Sequence, residues 1–183
     1  MSIMREEEVR KKALLEAAQR MMTAARTAPK AKGIDNIAIA VVEKKEIKLL
    51  SDKMKELAEK EGVPDSFLRD AQNILASEVM VLIGTKIEPV GLPFCGLCGY
   101  KNCEEKRKYP DQPCAFNTGD LGIAIGSAVS AAMDCRVDNR LMFSVGMAAR
   151  ELKMLGGDVM IIYGIPLSCT GKNPFFDRVW PKK

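Results

Sequence analysis

Histidine is absent from all 183 residues, and that removes a good deal of chemistry. Without imidazole there is no Ser–His or Cys–His nucleophile pair and no nitrogen ligand of the usual kind for a metal. Nor is there a side chain that ordinarily titrates near neutral pH. The common hydrolase arrangements are excluded. Aromatic residues are scarce at 5%, so Leu, Ile, Val, Ala and eleven Met must fill the interior. Met packs adaptably and by itself signals only a core. No stretch approaches the roughly 20 apolar residues of a membrane span, and the opening MSIMREEEVRKK has no apolar segment of secretory type. A single-sign charge patch is missing too. The net charge is only +4, and in VEKKEIKLLSDKMKELAEKEG (42–62) basic and acidic residues alternate, as on a solvated helix face. That pattern is not a nucleic-acid footprint. The chain is therefore expected to be cytoplasmic, with neither membrane nor nucleic acid as partner, in a compartment where thiols stay reduced.

What is present is an ordinary globular composition, 47% apolar and 28% charged, expected to form one domain over 1–183. Residues 5–28 carry apolar positions at helical spacing (Val9, Ala13, Ala17, Met21, Ala25, Ala28), and Pro29 stops the run. IAIAVV (37–42) and VMVLIG (79–84) are continuous apolar runs of strand length, expected to be buried on both faces. Between them lie a helix striped by Ile47, Leu50, Met54 and Leu57 and another, opened by Pro64, with Leu68, Ala71 and Leu75 inside. TGDLGIAIGSAVSAAMD (118–134) predicts a helix capped by Thr118 whose Gly, Ala and Ser let another backbone approach closely. RLMFSVGMAARELKML (140–155) predicts one more, ended by Gly156 and Gly157, before a last strand at 158–167. The tail, with its single Trp at 180, reads as irregular and docked by its aromatic residues. About five helices around at least three strands give an α+β fold, a central sheet flanked by helices. No internal repeat is visible.

One segment, 89–117, breaks this regular pattern. It holds four of the six cysteines at the spacing Cys95-x2-Cys98-x4-Cys103-x10-Cys114. Gly96 and Gly99 free backbone N–H groups to turn inward, and Pro93 and Pro113 stiffen the chain before the first and last thiol. Three readings follow from the residues: an iron–sulfur cluster on all four thiolates, a structural zinc, or unliganded, redox-sensing thiols. Structural zinc usually takes two short Cys-x2–4-Cys knuckles, and only one is present. A redox dithiol seldom has two more cysteines downstream. The cluster is the favoured reading, with zinc as the alternative. Cys135 and Cys169 stand apart and read as small buried apolar residues.

CGLCGYKNC followed by a later Cys resembles the four-iron ferredoxin-type module, Cys-Gly-x-Cys-Gly-Tyr-x-x-Cys, including both glycines and Tyr100. The resemblance implies a 4Fe-4S cluster held by Cys95, Cys98, Cys103 and Cys114. The last gap is shorter than the module usually has, so Cys114 matches the module less closely than Cys95, Cys98 and Cys103 do. Outside that segment, AARTAPKAKGIDNIAIAVV (24–42) and the order GDLGIAIGSAVSAAMDCRVD, SVGMAARELKML, DVMIIYGIPL resemble the nitroreductase family. The whole resembles the ferredoxin-domain-containing proteins, in which a four-cysteine insert sits in a nitroreductase-like scaffold. That resemblance implies a homodimer paired through long helices and raises FMN as a second cofactor, with Arg26, Lys30, Lys32 and Arg178 as the cations for its phosphate. The family's Arg-rich motif has no clear counterpart before Arg26, so weak FMN binding or none is expected. The expected role is an electron-transfer protein, its redox partner protein unidentified. The alternative is a zinc-stabilised interaction module without catalysis.

Overall fold

The two apolar runs at 37–42 and 79–84 become neighbouring antiparallel strands, and the run after Gly157 adds a third. The computed structural model describes residues 3–176. In chain order its elements are α1 (Glu6–Thr27), β1 (Ile37–Glu43), α2 (Lys44–Ala58), α3 (Ser66–Asn73), β2 (Val79–Lys86), α4 (Cys103–Lys106), α5 (Ala115–Asp134), β3 (Asp138–Asn139), α6 (Phe143–Glu151) and β4 (Val159–Ser168). The sheet runs β1-β2-β4-β3 and every pairing is antiparallel.

Alternation along β2 divides the core. Val79, Val81 and Ile83 face one layer, with Ile165 and Leu167 of β4, under α1 and α5. Met80 and Leu82 face the other, under α2, α3 and α6. A continuous apolar run suits β2 because it is central and covered on both faces. The same expectation for β1 is corrected: it is an edge strand, and of its residues only Ile37 and Val42 are buried. An apolar run cannot by itself reveal that one flank lacks a neighbour.

Two helix boundaries also differ from the periodicity. The expected helix over 140–155 is shortened to α6. Met142 bridges Gly164 through both backbone bonds, 2.9 and 3.1 Å, and so belongs to the sheet edge. Close packing holds α6 there: a Cβ on Gly146 would lie 1.6 Å from the Ile162 carbonyl oxygen. The helix expected from Thr118 starts three residues earlier, with Cys114 at its N-cap.

Across the sheet's second face, α3 is tied to α6 by a buried ionic group. Asp70 accepts from Arg69 Nε at 2.8 Å and from Ser144 Oγ at 2.7 Å. As far as it is described, the tail packs on the chain's own body. Phe175 is buried in that layer, its carbonyl accepting from Arg140 at 3.0 Å, while the Arg140 guanidinium stacks 5.1 Å from the Phe176 ring. Trp180 lies outside the described residues.

Candidate metal centre and the adjoining cleft

The cysteine segment leaves the end of β2 and returns at α5, and one side chain clasps its two ends. Asn117, buried in the first turn of α5, accepts from the Glu88 N–H at 3.1 Å and donates to the Glu88 carbonyl at 2.9 Å. The same amide oxygen accepts from Cys114 N at 3.3 Å. Residues 88 and 114 are thereby held together, and the 25 residues between them form a closed loop over the α5 N-terminus.

Within that loop the backbone coils tightly. Gly91, Phe94, Gly96 and Gly99 all have left-handed φ, at 74, 51, 66 and 85°. For Phe94 that conformation costs roughly 1–3 kcal/mol, which surrounding structure must over-determine. Gly99 N donates to the Gly96 carbonyl at 2.9 Å, closing a turn around Cys98. Four residues on, Asn102 caps α4, its side chain accepting from Glu105 N at 2.9 Å. Cys103 is the first residue of that helix. Tyr100 and Tyr109 stack at 5.1 Å, and Tyr100 hydroxyl pairs with Gln112, so the second half of the loop is pinned to the first. Burial first, and then the Tyr109, Cys98 and Glu105 groups, push the Tyr100 phenol upward.

Burial in this loop departs from hydropathy at Phe94, Leu97 and Lys106, while Leu92 is half-buried. Phe94 is fully exposed and Leu97 70% exposed, while Cys95, Cys98 and Cys103 are half-buried and Cys114 is buried. Lys106 is the one residue of 91–113 that is fully covered. All six cysteines are free thiols. As donors, four free thiols suit a thiophilic metal or an iron–sulfur cluster. Among the described residues, however, no three or more Cys, Asp or Glu side chains are gathered into a group that could hold a metal ion. The type of donor fits such a group, while the four sulfurs are not gathered about one point in this structure. Cys135 and Cys169 sit elsewhere, against the α1–α5 layer, and are half-buried where full burial was expected. Burial, ahead of an opposing effect from Arg10, raises the Cys169 thiol, as suits an inert, packed cysteine.

The cations predicted near the α1–β1 turn come together there. Lys30 is nearly buried, and its ammonium donates to the carbonyls of Ala25, Arg26 and Ala28 at 3.0, 2.5 and 2.9 Å. An ammonium has three N–H donors, and these contacts use all of them to cap the end of α1. Arg26 donates through Nη1 to Asp35 at 2.5 Å and to the Ile37 carbonyl at 2.9 Å. Burial alone would raise the Asp35 carboxyl. The hydrogen bonds from Arg26 and the Ile37 N–H, with the charges of Arg26 and Lys30, outweigh it and hold that carboxyl below its ordinary value. Lys32 extends toward the Val90 and Gly91 carbonyls, at 3.5 and 3.4 Å, from a left-handed residue of φ 55°. Arg178 lies outside the described residues.

Turn and cysteine loop meet at a cleft of about 360 Å³, walled by Pro29, Lys30, Leu97, Phe116 and Ile123, with Asp120 in its floor. Asp120, which the sequence reading passed over, accepts the Ala31 N–H on both oxygens at 3.2 and 3.1 Å and so fixes the turn to α5. Asn117 and Lys106 were passed over as well. Asn117 and Asp120 share a face at i, i+3 in the first turn of α5, and that spacing is the sequence signal that could have found them.

Three antiparallel strands and a short fourth between two helical layers, with the α1–β1 turn beside the cysteine loop, define the nitroreductase fold class. The chain aligns with a nitroreductase with bound FMN from Desulfitobacterium hafniense at a TM-score of 0.58 and 17% identity, covering 86% of this chain and 78% of that one. It aligns with a BluB-like flavoprotein from Clostridium difficile at 0.55 and 21%, covering 92% and 84%. At such identity these likenesses concern the fold alone. Residues 111–178 match the family described as uncharacterized protein containing a ferredoxin domain (DUF2148). An uncharacterized protein of Archaeoglobus fulgidus is 41% identical over 174 residues, 91% of this chain and 92% of the relative. The chain belongs to that ferredoxin-domain family.

Proposed function

We propose that the protein is an intracellular electron-transfer protein that holds a four-iron iron–sulfur cluster on Cys95, Cys98, Cys103 and Cys114. The observation that carries this reading is the burial of the loop, where Cys114 and Lys106 are buried and Cys95, Cys98 and Cys103 half-buried while Phe94 and Leu97 face solvent. A loop that served only packing would turn the Phe and Leu inward instead. Bound there, such a cluster would supply one-electron redox chemistry at a potential set by ligation, hydrogen bonding and burial. The chain's part is to present four thiolates, to aim the N–H groups around Gly96 and Gly99 inward, and to keep solvent partly away. Phe94 and Leu97 then form an apolar patch on which a redox partner protein can seat.

A second reading adds a flavin, and the cleft against Leu97 favours it because a ring bound there would touch the cysteine loop. Against it, the three donors of Lys30 are spent on carbonyls and Arg26 is committed to Asp35, so little convergent charge is left for a phosphate. FMN is expected to bind weakly or not at all. We further propose a homodimer through the outer face of α5. Gly119, Gly122 and Gly126 look onto open space there, and Ile123 and Met133 are about half exposed. A mass near 20.1 kDa in light scattering would refute that pairing.

Isolation under anoxic conditions tests the main reading. A brown protein with iron and acid-labile sulfide in similar amounts is expected. A colourless protein with stoichiometric zinc would replace it with a zinc-stabilised interaction module.

A further inference from the structure

Strand β1 is one edge of the sheet, and its outer side is bare over part of its length. The Asn36 carbonyl accepts from Lys86 N at 3.1 Å, so the even-numbered residues of β1 exchange their backbone bonds with β2. The odd-numbered residues therefore point their N–H and C=O away from the sheet. At Ile37 both groups are capped: the N–H donates to Asp35 at 3.0 Å, and the carbonyl accepts from Arg26 at 2.9 Å. At Ile39 and Val41 neither group has a partner among the described residues. Glu43 then leads into α2. Edge strands are ordinarily blunted by a Pro, a Lys or a bulge. IAIAVV (37–42) has none of these, and its pairing with β2 is regular throughout. Beside the bare stretch lies a trough of about 300 Å³ lined by Met22, Thr23, Arg26, Thr27 and Ile39. Unpaired donors and acceptors along an edge match another extended backbone. The free groups are symmetric about Ala40, and that symmetry selects a second β1 running antiparallel across a two-fold axis.

We propose that the β1 edges of two copies of this chain pair about Ala40, joining their four-stranded sheets into one. In that register Ile39 exchanges both backbone bonds with Val41 of the second copy, and Val41 does the same with Ile39 of the second copy. The two Ala40 residues face each other at the non-hydrogen-bonded position, where Cα atoms lie about 4.5 Å apart and a small side chain fits. Ile37 comes opposite Glu43 of the second copy. Arg26 stands at Ile37, and both Arg26 and Glu43 are half exposed, so opposite charges meet at each end of the pairing. This edge is a different surface from the outer face of α5 and from the cysteine loop, and the inference rests on neither.

Disulfide trapping reads the register directly. Ala40→Cys and Ala38→Cys are oxidised in the full chain with diamide; two thiols give one disulfide, and two electrons and two protons pass to the diamide. Across the axis residue 38 stands about 13 Å from residue 38 of the second copy, at roughly 3.4 Å per residue, which is beyond disulfide reach. Ala40→Cys is expected to give a covalent dimer whose linked peptides, identified by mass spectrometry, join residue 40 to residue 40. Its trapping should be about tenfold faster than any linkage of residue 38 to itself. Ile39→Pro removes only an outward N–H, so β1 keeps its ladder to β2, and added to Ala40→Cys it should slow trapping about tenfold. Circular dichroism and the unfolding midpoint check that each variant is folded. Gly122→Lys, whose added side chain meets open space on the α5 face, should leave trapping at residue 40 unchanged. Ala38→Cys linking as fast as Ala40→Cys would overturn the proposal, as would a folded Ala40→Cys protein that does not cross-link. Trapping that Ile39→Pro leaves unslowed, or that Gly122→Lys abolishes, would overturn it too.

Discussion

The body of the molecule and its cysteine loop solve opposite problems. In the body, Val81, Leu82 and Ile83 are fully buried, each side of the sheet is covered, and the few buried charges are paired, as Arg69 is with Asp70. In the loop, the apolar side chains Phe94 and Leu97 face out while Lys106 and Cys114 are buried and the other three thiols half-buried. The body is held by apolar burial. The loop has too few apolar contacts to hold itself that way, and it is tied to the body through Asn117 instead. A segment folded against its own hydropathy needs an interior that rewards polar ligands, which is the physical case for a metal centre there.

The comparison can be broken from the body's side first, where the effect should be greatest. Asp70→Ala removes the carboxylate that accepts from both Arg69 and Ser144 between α3 and α6. Breaking a buried pair costs about 3–5 kcal/mol, so chemical denaturation should show a loss of that size. Asn117→Ala is expected to cost less, about 1–3 kcal/mol for the buried Glu88 groups left unpaired. Its more telling effect should be on the loop: with residues 88 and 114 unclasped, metal uptake should weaken more than the body does. Equal loading by this variant would mean that the clasp does not position the thiols.

A smaller effect belongs to the α1–β1 turn. The Asp35 carboxyl is held below its ordinary value in the folded chain, so the unfolded chain binds the extra proton. The stability it contributes is complete above about pH 3.9 and is lost as pH falls through the lowered folded value. Unfolding midpoints measured from neutral to acid pH should fall more steeply in wild type than in Asp35→Asn. Parallel acid limbs would contradict the pairing with Arg26.

Much of the body was legible in the sequence, because periodicity reports burial directly. The stripe Ile47, Leu50, Met54, Leu57 is the buried face of α2, and the β2 run is the central strand. What periodicity could not reveal was position: β1 has the composition of a covered strand and lies at the sheet edge. It also missed backbone events, such as the Met142–Gly164 bridge that shortens α6. In the loop, the four cysteines announced themselves by spacing, while Asn117, Asp120 and Lys106 did not. Their roles come from contacts across some 30 to 90 residues or from burial, and neither leaves a local pattern. Of the basic cluster expected at a phosphate, Lys30 engages the turn's own carbonyls and Arg26 engages Asp35, a use that charge counting cannot separate from ligand binding.

The central claim is that the four thiols of the loop, and not those of the body, hold the metal. Iron content and visible absorbance after anoxic loading decide it in three proteins: wild type, Cys98→Ala and Cys135→Ala. Colour and iron should vanish with Cys98, because a missing ligand exposes an iron to solvent, and should be unchanged without Cys135. Absorbance that survives the loss of Cys98 and disappears with Cys135 would contradict the account.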